Sequence, residues 1–139
     1  MKQKVEMSWL GNLAYETEMD GHKLITDGGT NVGGDDKGVR PKKLMLTALA
    51  GCTGIDMAQI LKKMRVEVRD IKVSVEGELT DEQPSYYKNM HVVYEFFGKD
   101  MPKKKIERAV QLSEEEYCGV SALYKKVIPV TSEIIYHEE

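Results

Sequence analysis

An excess of charge of one sign is missing from this chain. Twenty Lys and Arg stand against 23 Asp and Glu, a formal net charge of −3, so there is no basic footprint for nucleic acid. Histidine and cysteine are scarce. His22, His91 and His137 stand far apart, and neither a Cys-x-x-Cys nor a His-x-x-x-His pair occurs. The expectation is therefore no metal site and no cofactor. Without a Gly-x-Ser-x-Gly elbow, a serine hydrolase is disfavoured. No apolar run approaches the roughly 18 residues of a membrane span, and the first residues, MKQKVEMSWLG, lack the apolar core of a signal peptide. These absences point to a cytoplasmic protein that makes no use of a membrane. In that compartment Cys52 and Cys118 are expected to be reduced thiols at rest.

What is present is an ordinary globular composition, 41% hydrophobic and 31% charged over 139 residues, which suits a single domain spanning 1–139. Val5 to Leu10, Leu13 to Met19 and His22 to Asp27 alternate as short strands. Asp20-Gly21 sits between the last two and suits a tight hairpin turn. Asp27 to Gly38 carries five glycines but no Gly-Lys-Ser/Thr follows, so it reads as a flexible surface loop rather than a phosphate loop. From Pro41 to Met64 the apolar spacing becomes helical, with Pro41 at a first helical position. The middle of that helix is unusually small: Ala48, Ala50, Gly51, Cys52, Thr53 and Gly54. Close approach of another backbone, a kink exposing Cys52, or a tightly packed helix with no chemistry would each account for it.

Strands return at Val66–Val68 and Ile71–Val75, with a phase slip near Asp70 that suggests a bulge, and again from Met90 to Phe96. Pro102 opens a second helix through Val110. Ser113 and Glu116 have capping-box spacing for a further short helix carrying Cys118. Val127 to Tyr136 closes the chain as a strand, which Pro129 places at an edge or at its beginning. The order of strands, helix, strands, helix and strand is an α+β fold. Glu114-Glu115-Glu116 reads as a charge complement to a helix dipole, and Lys103-Lys104-Lys105 as a solvated face. Each cysteine, on its own, is read no further than a small buried hydrophobe.

Two segments carry a family resemblance. Gly38-Val39-Arg40-Pro41 through Ala50-Gly51-Cys52, and Leu112-Ser113 through Tyr117-Cys118-Gly119-Val120-Ser121-Ala122-Leu123 followed by Val127-Ile128-Pro129-Val130, strongly resemble the OsmC family, which includes the organic hydroperoxide resistance proteins. The glycine-rich loop and the order of elements also fit, so the likeness covers nearly the whole chain. The resemblance implies antiparallel sheets wrapped around central helices in an intertwined homodimer, with active sites at the interface. It places Cys52 on the peroxidatic cysteine and Cys118 on the resolving cysteine. It implies an organic hydroperoxide as substrate and an external dithiol as reductant. Two positions depart from the hydroperoxide-resistance branch. The sequence has no arginine before Arg40, where that branch carries one near the N-terminus, and Lys42 stands where the branch has the glutamate that holds it. Lys42, His22 and Lys23 are the candidates for the missing charge. A thiol-dependent peroxidase is the first reading, and a non-catalytic dimer that binds a small apolar ligand or senses redox state is the alternative.

Overall fold

A computed structural model describes all residues, 1–139. The chain divides into two compact units, Met1–Met45 and Leu46–Glu139.

In the first unit, β1 (Ser8–Gly11), β2 (Ala14–Met19) and β3 (His22–Thr26) form an antiparallel sheet in that order. The β2–β3 turn is built as expected, with Asp20 at φ 51° and Gly21 at φ 80°, a pair of left-handed residues that follows the strand twist. The glycine-rich segment after β3 is more anchored than a flexible loop. Buried Asp27 accepts hydrogen bonds from the backbone N–H groups of Gly28, Asp35 and Lys37 at 2.7, 3.2 and 3.0 Å. Asp27 N–H also donates to Val39 O, and Val39 N–H to Ile25 O, each at 3.0 Å. A Cβ at Gly34 would collide with the Gly28 backbone, so the glycine lets the two loop arms touch.

The sequence reaches the second unit through a 3-10 turn (Pro41–Lys43) and α1 (Leu44–Lys63), close to the expected 41–64 helix. Arg65, at φ 58°, ends it. Leu49, Thr53, Met57, Ile60 and Leu61 are its buried residues and share one face by their three- and four-residue steps. The stretch 41–63 is long and apolar enough to cross a membrane by length and composition alone, an 18-residue window within it having a mean hydropathy of 1.5. This corrects the expectation that no run approaches that length. Leu49, Met57, Ile60 and Leu61 lie in the protein's own core, while only 28% of the apolar window is buried within the chain.

β4 (Asp70–Leu79), β5 (Tyr87–Gly98) and β6 (Val130–Glu138) form the second sheet in that order. Val66–Val68 precede the strand rather than belong to it, and the irregularity falls between Glu78 and Leu79 instead of near Asp70. β4 and β5 pair antiparallel, whereas β5 and β6 pair parallel. The parallel pairing arises because the chain between β5 and β6 is a long crossover containing α2 (Lys103–Leu112) and α3 (Gly119–Lys125). Along β5, Met90, Val92, Tyr94 and Phe96 all point inward, and they join Leu49, Met57, Ile106 and Ala109 in one core. Pro129 lies just before β6, an edge strand, where its missing N–H is tolerated.

The expected helix starting at Ser113 is absent. Ser113–Tyr117 prolong α2 as a wide π-helical turn, and Cys118 is the N-cap of α3. Ser113 is already helical (φ −60°, ψ −51°), so its hydroxyl is not spent on a cap and is free for a tertiary partner.

Candidate active site

Both cysteines lie in the second unit and both are free thiols. Cys52 is half-buried in the middle of α1 and Cys118 is buried at the start of α3. Folding brings their Sγ atoms, together with a carboxylate oxygen of Asp56, within 4.8 Å of one another. Asp56 follows Cys52 by one helical turn, so the two side chains share a face of α1. This carboxylate was missed in the sequence reading. Its only signal was the Cys-x-x-x-Asp spacing, which acquires meaning once Cys118 arrives from a distant segment.

Hydrogen bonds hold Asp56 and Cys118. The Ser113 hydroxyl donates to Asp56 Oδ2 at 2.8 Å. Ser121 N–H donates to Cys118 Sγ at 3.3 Å, and Cys118 N–H donates to Ser113 O at 2.8 Å. The π-helical turn therefore performs two tasks: its first residue orients Asp56, and its end delivers Cys118. Wide turns of this kind recur where a helix must re-aim a functional group.

Burial, followed by the hydrogen bond with Cys52, pushes the Cys118 thiol up to about 11, against the opposing pull of the Ser121 and Val120 N–H groups. Cys118 is thus overwhelmingly protonated at neutral pH. Nearby, Tyr94 is fully buried and its hydroxyl donates to Glu114 Oε1 at 3.0 Å. Burial, and then the Glu114 charge, raises that phenol well above its ordinary range. Tyr94 is therefore a fixed donor that pins the acidic run, giving Glu114 a tertiary role in addition to any dipole effect.

A cleft of about 300 Å³ opens beside Asp56, walled by Ile60, Met64, Leu112 and Tyr117 with Gln59 and Lys63 at its edge. His22, Lys23 and Lys42, the candidates for the missing charge, belong to the first unit, whereas both cysteines belong to the second. Lys23 pairs with Glu16 at 3.5 Å, and Lys42 lies in the turn before α1. His91 and His137 face Glu133 and Glu95 at 3.3 and 2.9 Å.

The two glycines in the middle of α1 have different surroundings. Gly54 faces β4, with the nearest atom to a Cβ there being Val73 Cγ2 at 3.9 Å, whereas a Cβ at Gly51 would meet nothing within 4 Å. Gly51 is thus not required by any contact inside this chain. Ile55, on the same helix, is 62% exposed.

Comparison with known proteins gives a consistent result. A family model described as OsmC-like protein matches residues 34–133. Protein YhfA of Escherichia coli (strain K12) is 30% identical over 129 residues, covering 92% of this chain and 93% of that protein. A hypothetical protein from Aquifex aeolicus VF5 has a crystal structure that superimposes with a TM-score of 0.81 at 28% identity, over 99% of each chain. The organic hydroperoxide resistance protein OhrB of Bacillus subtilis superimposes with a TM-score of 0.65 at 18% identity, over 95% of this chain and 98% of that one, a likeness of fold.

Proposed function

Because the chain belongs to the OsmC-like protein family, we propose that it is a cytoplasmic, thiol-dependent peroxidase that reduces organic hydroperoxides through Cys52, with Cys118 as resolving thiol. The observation that carries this reading is the approach of the two sulfurs to within 4.8 Å. A disulfide needs them at about 2.05 Å, a movement that side-chain rotation and a small shift of the α3 start can supply.

The chemistry balances with ordinary thiol steps. The Cys52 thiolate attacks the distal oxygen of the hydroperoxide and the O–O bond breaks. The leaving alkoxide takes a proton from water to become an alcohol, and Cys52 becomes a sulfenic acid. The Cys118 thiol then attacks that sulfur, water leaves, and a disulfide forms. An external dithiol reduces the disulfide by two thiol exchanges and is itself oxidised. Cys52 is the attacking sulfur because it is the accessible one, whereas Cys118 is buried and held protonated. The apolar walls of the adjoining cleft favour a hydrocarbon tail over hydrogen peroxide.

The active form is a homodimer in this reading. Exposed Ile55 and the open space over Gly51 leave a small-residue strip on α1 that a second copy of α1 can approach closely. In the first unit, Met7, Tyr15 and Met19 expose further apolar surface around a groove with Val5, Leu24 and Pro41.

A redox sensor or small-ligand binder is the second reading, favoured by the absence of any arginine before Arg40 and by Lys42, since a thiolate without a neighbouring cation forms less readily. Steady-state consumption of cumene hydroperoxide with dithiothreitol separates the two. Many turnovers per chain, faster than with hydrogen peroxide, support the peroxidase. A single oxidation per chain without sustained turnover supports the sensor.

A further inference from the structure

Cys52 and Asp56 stand one turn apart on α1, and Cys118 is brought against them from a separate element. Two sulfurs and one carboxylate oxygen therefore converge within 4.8 Å. We propose that the reduced chain binds a thiophilic divalent cation of the Zn²⁺ class through Cys52 Sγ, Cys118 Sγ and a carboxylate oxygen of Asp56. This site shares its sulfurs with the peroxidase reading but not its chemistry, because it requires only that both thiols be reduced and adjacent.

The donor set selects the ion. Zinc binds thiolate at about 2.3 Å and carboxylate at about 2.0–2.2 Å, which puts neighbouring ligand atoms of one tetrahedron roughly 3.5–3.8 Å apart. From separations of at most 4.8 Å, the three atoms need to close by no more than about 1.3 Å. Two thiolates exclude Mg²⁺ and Ca²⁺, which take oxygen ligands. Three anionic ligands around one dication also relieve the repulsion that two thiolates and a carboxylate would otherwise suffer. The outer partners of such a site are in place. Ser113 fixes Asp56 through Oδ2, leaving the other oxygen able to ligate, and Ser121 N–H supports the Cys118 sulfur. Cys52 and Asp56 are only half-buried, so water or an incoming thiolate can take the fourth position.

Binding is a displacement: Zn²⁺ and two thiols give a dithiolate complex and release two protons. The same two sulfurs cannot hold the ion and form a disulfide. If hydroperoxide oxidises the loaded site, the two thiolates become the disulfide, hydroperoxide takes two electrons and two protons to give alcohol and water, and the cation leaves. Cation binding and the peroxidatic disulfide are thus alternative states of one pair of cysteines.

Co²⁺ is the probe for this site, added to the reduced, metal-free full chain without a histidine tag. One Co²⁺ per chain should bind with a thiolate-to-cobalt charge-transfer band in the near ultraviolet, release two protons, and be displaced by Zn²⁺. Cys118→Ser should reduce that band by about half, one of two thiolates being lost. Asp56→Asn should keep the band and weaken binding at least tenfold, and Ser113→Ala should weaken it by about tenfold. Far-UV circular dichroism confirms that each variant is folded. The histidine–carboxylate pairs cannot mimic the signal, since only sulfur gives the charge-transfer band. Absence of the band in folded, reduced wild type overturns the proposal, as does a band that Cys118→Ser leaves unchanged or a cobalt affinity that Asp56→Asn leaves unchanged. Mass spectrometry of a metal-free portion after cumene hydroperoxide keeps the readings apart. A disulfide there without cobalt binding refutes only the cation site, and cobalt binding without peroxide oxidation refutes only the peroxidase.

Discussion

The Ser113 hydroxyl donates to Asp56 Oδ2 at 2.8 Å, fastening the turn that leads into Cys118 onto the helix that carries Cys52. Ser113 is fully buried, and its own backbone carbonyl accepts from Cys118 N–H. One residue thus sets the spacing of the two sulfurs through both its side chain and its main chain.

Ser113→Ala deletes the side-chain half of that link. It should cost about 1–2 kcal/mol, the range for a hydrogen bond to a charged group that water can partly replace, read as a lower urea midpoint with unchanged slope. Disulfide formation after peroxide should slow as well, because the sulfurs are less firmly apposed. Unchanged stability together with an unchanged disulfide rate would show that Ser113 does not position the pair.

Gly51→Leu tests the proposed subunit contact. Inside the chain the new side chain enters open space, and leucine is a better helix former than glycine by somewhat under 1 kcal/mol. The folded chain should therefore not suffer. Sedimentation velocity should report a shift from dimer toward monomer while the helical signal persists. A dimer of undiminished stability would remove α1 from the interface.

Acid should loosen the first unit's loop before the rest of the chain. Chiefly the Lys37 N–H, with those of Gly28 and Asp35, holds the Asp27 carboxyl below its usual value of 3.8. A carboxylate with a lowered folded pKa adds stability that is present above its unfolded pKa and is lost as pH falls through the folded one. Amide exchange at Gly28, Asp35 and Lys37 should accelerate below about pH 4, and Asp27→Asn should make that exchange fast already at neutral pH. Slow, pH-independent exchange in the variant would mean that the loop does not depend on Asp27.

Local patterns made much of this fold legible. The spacing of Leu44, Leu49, Ile60, Leu61 and Met64 announced α1, and Asp20-Gly21 announced its hairpin. The parallel pairing of β5 with β6 was not readable, because it depends on how a crossover of two helices returns, which no short window encodes. Ser113 misled for a physical reason: serine and a glutamate three residues on fit a cap, yet here tertiary bonding to Asp56 outweighed it and the helix ran on. The pairing of Cys52 with Cys118 came from family resemblance. Asp56 escaped notice because an Asp one turn after a Cys is unremarkable until a third ligand atom approaches from elsewhere in the chain.

The most direct test of the peroxidase account is intact mass and free-thiol count after one equivalent of cumene hydroperoxide, on wild type, Cys52→Ser and Cys118→Ser. Wild type should lose both thiols and two hydrogens within the chain. Cys118→Ser should gain one oxygen at Cys52 without forming an intrachain disulfide, and Cys52→Ser should keep its thiol. Two intact thiols in folded wild type, or oxidation that begins at Cys118, would contradict the account.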